Sequence, residues 1–483
     1  MRLFLIGWAE NRPELVDAAQ ALREQGHEIV YWVRSSAVFA VDATLFPQTI
    51  FHELNDAVAA RPAPALADMD IIPPGSDLLS RLGETESITL TMMNKRYDWM
   101  TVSERKHLYY SYVCYWSSVL ERFRPEVIVF SMIPHTLYNF VIYGLAKVWG
   151  IPTVMLDMTL VKNRLLFMNK FEEGSAALAR ELETAQTKTF SLTDLPSDLK
   201  DYFEKQTDTQ SADTPPVYVQ NELKNYSFRK KIVLKIKIVY TSLRDRTFFT
   251  KTFQFIAKLF RPNLADEYNK VCTVPDLNKK FVYVPLQYQP ECTTSPLGGL
   301  YVDQILMIET LAAALPPDWV IYVKEHPIQW LPRGTNFVGA RYRGYYEAIA
   351  HIKNVKIVPL ATSGFTLIHR SQAVATVTGT TGWEAILRLK PTLIFGYPWY
   401  QHCPGLFRVR DTQSCRVAFE QIEKGFALKH SDTLRFLCAF SKVSVHGFID
   451  DYGRATSALT TEENKRAITD SLLEEIAALE VRL

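Results

Sequence analysis

Short apolar runs rich in β-branched and aromatic residues alternate along this chain with stretches whose apolar positions recur every three or four residues. This is strand and helix patterning in alternation. Leu3–Trp8 reads as a first strand, Pro13–Gln25 as an amphipathic helix opening at a proline, and Glu28–Val33 as a second strand after Gly26. The pattern resumes with a strand at Glu126–Phe130, a helix at Leu137–Val148 and a strand at Thr153–Leu156. A second series begins near Lys280, with strands predicted at Val282–Leu286, Trp319–Val323, Val355–Val358, Val374–Val377 and Thr392–Phe395. Helices at Val302–Leu315, Tyr345–His351, Thr366–Arg370 and Trp383–Leu389 separate them. Short connections between alternating elements predict parallel doubly wound sheets, which bind ligands at their carboxyl edge.

The intervening stretches differ in character. Residues 75–123 are rich in helix formers and carry Tyr97, Trp99, Tyr109, Tyr110, Tyr112, Tyr115 and Trp116. These rings suit core or interdomain packing, with stacking on an acceptor sugar as the alternative. From Glu172 to Val217 the chain turns polar, as in SLTDLPSD and QTDTQSADTPP, and reads as a solvent-exposed insertion. Lys224–Arg261 is strongly basic, Asp245 being its only acidic residue, and is interleaved with apolar positions. Such a segment either lies on an anionic bilayer or forms a solvated arm packed on the protein. The predicted division is a first α/β domain at 1–170, the insertion and basic arm at 171–279, a second α/β domain at 280–445, and a helical segment at 446–483. A capping box of Thr460 and Glu463 starts the last helix.

Composition narrows the class. With 483 residues the chain exceeds what one core holds, and a net charge of +2 excludes a general nucleic-acid binder. Six scattered cysteines without a CxxC pair predict neither a disulfide framework nor a zinc site, and fit a reducing cytosol. The apolar opening run is broken by Glu10, Asn11, Arg12 and Pro13, too early for a signal peptide, and no window reaches the roughly 20 apolar residues of a spanning helix. The first βαβ unit lacks G-x-G-x-x-G, which argues against a dinucleotide site there.

Candidate chemistry gathers at predicted strand ends. In TGTTGWEA, Gly379, Thr380, Thr381 and Gly382 precede a helix expected at Trp383. Glycines admit a close ligand, hydroxyls donate, and helix-start amides favour an anion, so the turn suits a phosphate; a plain strand-to-helix turn would look alike. VKEHP supplies Lys324 and His326, with Pro327 holding the residue before it extended. A histidine here either donates to a departing phosphate or is structural. LQYQPE offers Glu291 as a base or a nucleophile, and Gln287 and Gln289 as amides for a sugar hydroxyl or carboxylate, unless the loop is simply solvated. Ser363 falls near the same edge, and Glu384 either reaches a ribose or stabilises its helix start. His135 and Asp157 follow strand ends of the first domain and would face a cleft, or are ordinary loop residues.

VPLQYQPE, YVKEHP and VTGTTGWEAILRLKPTLIFGYPWY, in this order and spacing, resemble the bacterial capsule polysaccharide biosynthesis proteins, in particular their Kdo (3-deoxy-D-manno-octulosonic acid) transferases. The His-Pro pair is also similar to that of bacterial sialyltransferases. The resemblance implies an α/β fold of GT-B architecture: two Rossmann-like domains facing across a cleft, acceptor on the first and donor on the second. It implies a CMP-activated ulosonic acid as donor, with His326 and Pro327 at its phosphate and Thr380, Thr381 and the Gly382 amide completing the site. Glu291 falls where those transferases carry an aspartate nucleophile, four residues after Gln287, and both the glutamate and the inserted Gln289-Pro290 pair depart from that pattern. No DxD triplet appears where a UDP-sugar enzyme would place a metal ligand, and CMP leaves as a phosphate monoester, so neither metal nor cofactor is expected beyond the CMP-sugar substrate. The implied acceptor is an oligosaccharide or lipid-linked glycan of capsule or lipopolysaccharide. The implied location is the cytoplasm, with an anionic inner-membrane surface as a further partner and no nucleic acid. A CDP-glycerol glycerophosphotransferase, a nucleotide-sugar epimerase and a non-catalytic glycan-assembly subunit are the rival readings.

Overall fold

Two mainly parallel sheets organise the computed structural model, which describes residues 1–8, 12–35, 41–159, 161–208, 264–330 and 340–481. The first contains β1 (Arg2–Ile6), β2 (Glu28–Arg34), β3 (Ile50–Glu53), β4 (Val127–Phe130), β5 (Thr153–Met158), β6 (Arg164–Met168) and β13 (Val445–His446), in the order β13-β6-β5-β4-β1-β2-β3. Only the β5-β6 and β6-β13 pairs are antiparallel. The second holds β7 (Phe281–Pro285), β8 (Val320–Lys324), β9 (Val355–Ile357), β10 (Ala373–Thr376), β11 (Thr392–Ile394) and β12 (Leu406–Arg408), in the order β12-β11-β10-β7-β8-β9. All its pairs are parallel. Counted within the second lobe this is the 3-2-1-4-5-6 winding of a Rossmann sheet, and the β1/β4 and β7/β10 boundaries are the switch points where ligands bind. The two Rossmann-like lobes are those of GT-B architecture.

Local signals explain the elements. The strands are buried on both faces because helices cover them, which is why they read as continuous apolar runs. In the first lobe the 22-residue helix Val102–Phe123, closed by a Thr101–Glu104 capping box, buries Tyr109, Tyr112, Tyr115 and Trp116 against the sheet. Core packing therefore wins for these rings. Trp99 is 71% exposed.

The lobes do not divide where the polarity pattern placed the boundaries. Residues 176–207, expected to be an exposed insertion, form helices Ala176–Thr184 and Ser197–Thr207, and Leu178, Leu195, Leu199 and Phe203 are buried in the first lobe's core. Their polarity belongs to one face, while the apolar residues at i and i+4 turn inward. Helix Leu264–Val271 buries Tyr268 in the second lobe, so that lobe's structure begins ahead of Lys280. Helix His430–Val443 leaves it again before residue 445: Arg435 donates to the Gln186 carbonyl at 3.0 Å, and Lys442 pairs with Glu181. The closing helix Thr461–Glu480 starts at the expected capping box and buries Ile468, Leu472 and Ile476 in the first lobe's core. The basic segment 224–261 lies outside the described residues.

An aromatic seam joins the lobes. Trp383, Trp399, Tyr400, Phe436 and Phe440 are buried in one cluster with first-lobe residues, and the Trp383 indole donates to the Tyr202 hydroxyl at 3.0 Å. At roughly 150–250 Å² per ring and about 25 cal/mol per Å², each gives at most about 4–6 kcal/mol of burial. That makes the seam part of the core.

Candidate active site

The second lobe's switch point is built by close approach of two strand exits. Gln287, just past β7, donates its amide to the Thr376 hydroxyl at 2.7 Å, and that hydroxyl accepts the Gly379 amide at 3.1 Å. A Cβ on Gly379 would stand 2.3 Å from the Gln287 amide nitrogen, so any larger residue would force that amide to shift. The chain then enters helix Thr380–Leu387, three residues earlier than the sequence pattern indicated, with Gly379 as N-cap in extended conformation. The reason is that Thr380, Thr381 and Gly382 supply the first turn themselves. This puts both threonines at a helix start. It also changes one expectation: the Gly382 amide donates to the Gly379 carbonyl at 3.0 Å. The Tyr400 hydroxyl holds the same carbonyl.

Beside it, β8 ends in a buried ion pair that the sequence reading did not identify. Arg341 reaches Glu325 through Nε at 2.8 Å and Nη2 at 3.2 Å, with side chains 2% and 0% exposed. The Glu325 carboxylate also accepts the Tyr346 hydroxyl at 2.6 Å and the backbone N–H of His326 at 2.7 Å. Arg341 further donates to the Gln287 carbonyl at 3.1 Å and to the Gln289 side-chain oxygen. Burial alone would lower the guanidinium pKa, but the carboxylate beside it more than offsets this and holds it up. One ion pair thus ties the strand exit carrying His326 to the one leading to Glu291. An unremarkable Ala-Arg-Tyr context gives no signal for Arg341; a glutamate beside His-Pro in VKEHP was the available hint for its partner.

These contacts reassign several predicted residues. Gln287 and Gln289, expected to hold a sugar group, spend their side chains inside the protein: Gln289 donates to the Val302 carbonyl at 2.8 Å and accepts from Gln304 at 2.8 Å. Buried amides need partners, and here β10, the turn and helix at Val302 and Gln304, and Arg341 provide them. The Lys324 ammonium donates to the Thr362 carbonyl. The Ser363 hydroxyl caps the next helix by accepting the Thr366 N–H at 3.0 Å. Glu384 pairs with Arg388 at 3.3 Å one turn along its helix. Pro327 is exposed.

His326 is half-buried, and its Nδ1 accepts the Ile328 N–H at 3.4 Å, which leaves the proton of a neutral ring on Nε2. That nitrogen is a donor, as a phosphate contact requires. Glu291 begins a tight turn in which its carbonyl accepts from Thr294 N at 3.0 Å and Ser295 N at 2.9 Å. The turn is fastened on two sides. The Thr378 hydroxyl donates to the Thr293 carbonyl, and Ser295 shares a 3.0 Å hydrogen bond with Thr91 of the first lobe. Glu291 therefore stands between the Thr/Gly turn and the opposite lobe.

Across from it lie the exits of β4 and β5, joined by the Ile133 N–H donating to the Leu156 carbonyl at 3.1 Å. Asp157 sits close enough to Cys292 to raise its thiol pKa, after burial as the main cause and together with Glu291. Burial pushes the Asp157 carboxyl itself up to about 7. His135 donates from Nδ1 to the Ile133 carbonyl at 2.7 Å, and burial, with Lys95 and Arg12 nearby, lowers its pKa. His135 thus lies past the end of β4 as expected, whereas Asp157 is not beyond its strand but inside β5, which runs on to Met158 and pairs Asp157 with Leu166. The electrostatic reach from Asp157 to Cys292 spans the two lobes.

Residues 191–429 match the family described as "Capsule polysaccharide biosynthesis protein". Among curated proteins no match is found. Solved structures similar to the chain include the KpsC β-Kdo 2,7 transferase of Thermosulfurimonas dismutans (11% identity, 73% of this chain and 88% of that one, TM-score 0.29). The KpsC β-Kdo 2,4 transferase of the same organism matches at 12% identity over 71% and 87%, with TM-score 0.29. The UDP-GlcNAc 2-epimerase of Neisseria meningitidis bound to UDP-GlcNAc matches at 12% identity over 92% and 98%, with TM-score 0.23.

Proposed function

We propose, from the match of residues 191–429 to the capsule polysaccharide biosynthesis family, that the chain is a glycosyltransferase. In this reading it moves Kdo or a related nonulosonic acid from its CMP form onto a capsule or lipopolysaccharide glycan. The observation that supports this most is the construction of one sheet edge. A glycine-walled switch point, two helix-start threonines, a histidine whose Nδ1 accepts and so leaves the ring proton on Nε2, and a carboxylate in a pinned turn share that edge, and it faces the other lobe.

The chemistry follows from these groups. As the anomeric carbon–phosphate oxygen bond breaks, charge develops on CMP. The Thr380 and Thr381 hydroxyls, the helix start and the His326 Nε2–H donate to that charge, with Lys324 nearby, in a setting that does not reorganise because the Glu325–Arg341 pair fixes it. Glu291 serves as the carboxylate at the reacting carbon, attacking it in a double displacement or stabilising its positive charge in a single one. Neither course draws on a metal or other cofactor. His135 and Asp157 line the acceptor side.

Incubation with CMP-Kdo, CMP-pseudaminate and CMP-sialate tests this: CMP release from at least one, with an upward shift in melting temperature on adding CMP, is expected. Absence of both overturns it. Phosphodiester formation from CDP-glycerol, or epimerisation without an acceptor, would instead favour the rival enzymes.

No helix among the described residues is long and apolar enough to cross a membrane. We place the enzyme in the cytoplasm, meeting its lipid-linked acceptor at the anionic inner-membrane surface through the basic segment 224–261. Flotation with anionic vesicles but not neutral ones is the expected result, and equal recovery in both overturns it.

A further inference from the structure

On the acceptor side, we infer that His135 is the catalytic residue that takes the proton of the acceptor hydroxyl. The inference rests on the proposed transferase reading and adds a role that the reading leaves unassigned. A carbonyl oxygen only accepts, so the 2.7 Å contact with Ile133 places the ring proton on Nδ1. A neutral His135 then carries a lone pair on Nε2. This is the reverse of His326, whose Nδ1 accepts and whose Nε2 donates. The two histidines are thus set in opposite tautomers, one to give a hydrogen bond to a leaving phosphate and one to receive a hydroxyl proton.

The surroundings keep the lone pair available. Burial lowers the His135 pKa, and Lys95 and Arg12 act in the same direction, while the Ile133 carbonyl opposes them. Arg12 is steadied by a 3.3 Å bond to the Ser131 hydroxyl, which in turn donates to the Gly7 carbonyl at 2.7 Å. All of these flank the β1/β4 switch point, the ligand-binding edge of the first lobe. In the step itself the acceptor O–H bond breaks toward Nε2 and the oxygen's electron pair forms the new bond to the anomeric carbon. The bond from that carbon to its leaving group, CMP phosphate or a Glu291 ester, breaks with its electrons on the departing oxygen. An imidazolium between two cations is disfavoured, so the proton passes on to solvent.

The experiment has two arms. Nitrogen chemical shifts of the labelled full-length protein should show His135 neutral at pH 7 with its proton on Nδ1. In turnover with whichever CMP donor is active, His135→Asn should lower kcat for transfer by roughly 10²–10⁴-fold while leaving CMP binding unchanged. Lys95→Gln, an exposed change, should move the acid limb of wild-type kcat to higher pH, which a purely structural histidine would not do. A ring proton on Nε2, a His135→Asn enzyme transferring at near wild-type rate, or an unmoved acid limb overturns the role of His135 alone. A wild type inert toward every CMP donor removes the transferase reading, and this role with it.

Discussion

Removing the Arg341 guanidinium by an Arg341→Met substitution strands the Glu325 carboxylate, whose side chain is fully buried. It also takes a donor from the Gln287 carbonyl and the Gln289 amide oxygen. Breaking a buried pair by deleting one partner costs about 3–5 kcal/mol, a large share of a typical stability of roughly 5–15 kcal/mol. For a lobe of this size that corresponds to a fall of roughly 6–20 °C in melting temperature, at about 2–4 °C per kcal/mol. Differential scanning calorimetry reads it directly. The double variant Glu325→Gln/Arg341→Met should recover most of the loss, because no unpaired charge remains. A single variant within about 1 kcal/mol of wild type, the range of a surface ion pair, would refute the reasoning, as would a double variant that is worse than the single.

Three further outcomes follow from the same geometry. Gly379→Ala should displace the Gln287 amide, since the new methyl would stand 2.3 Å from its nitrogen, and CMP titration calorimetry should show weakened binding. Thr381→Ala should leave the melting temperature unchanged while weakening CMP binding roughly 10- to 150-fold, the equivalent of about 1.5–3 kcal/mol for a hydrogen bond to a charged group. Because burial raises the folded-state Asp157 carboxyl to about 7 from 3.8, the folded protein binds more protons than the unfolded chain between those values. Its stability therefore falls as pH rises through that window. Asp157→Asn should match wild type near pH 4 and be the more stable of the two at pH 8 in thermal melts.

Much of this arrangement was legible from periodicity because the buried parallel strands at Phe281–Pro285, Val320–Lys324 and Ala373–Thr376 are continuous apolar runs. The three motifs at their ends then follow from the rule that such sheets present one edge to ligands. What local sequence could not show was pairing between distant residues. Arg341 looks like any surface arginine until Glu325 is placed beside it, and Gln287 looks like a sugar contact until Thr376 takes its amide. The helix His430–Val443 reads as part of the second lobe by position, yet its apolar face lies against the first, which only packing reveals. Leu406–Arg408 and Val445–His446 are three and two residues long, too short to carry a period-2 signal.

The account stands or falls on what the Thr/Gly turn and His326 hold. A crystal structure with CMP measures it: the phosphate should lie within hydrogen-bonding distance, roughly 3 Å, of both His326 Nε2 and the hydroxyls of Thr380 or Thr381. A phosphate bound on the other lobe, or one contacting the threonines with the His326 ring turned away, would contradict it.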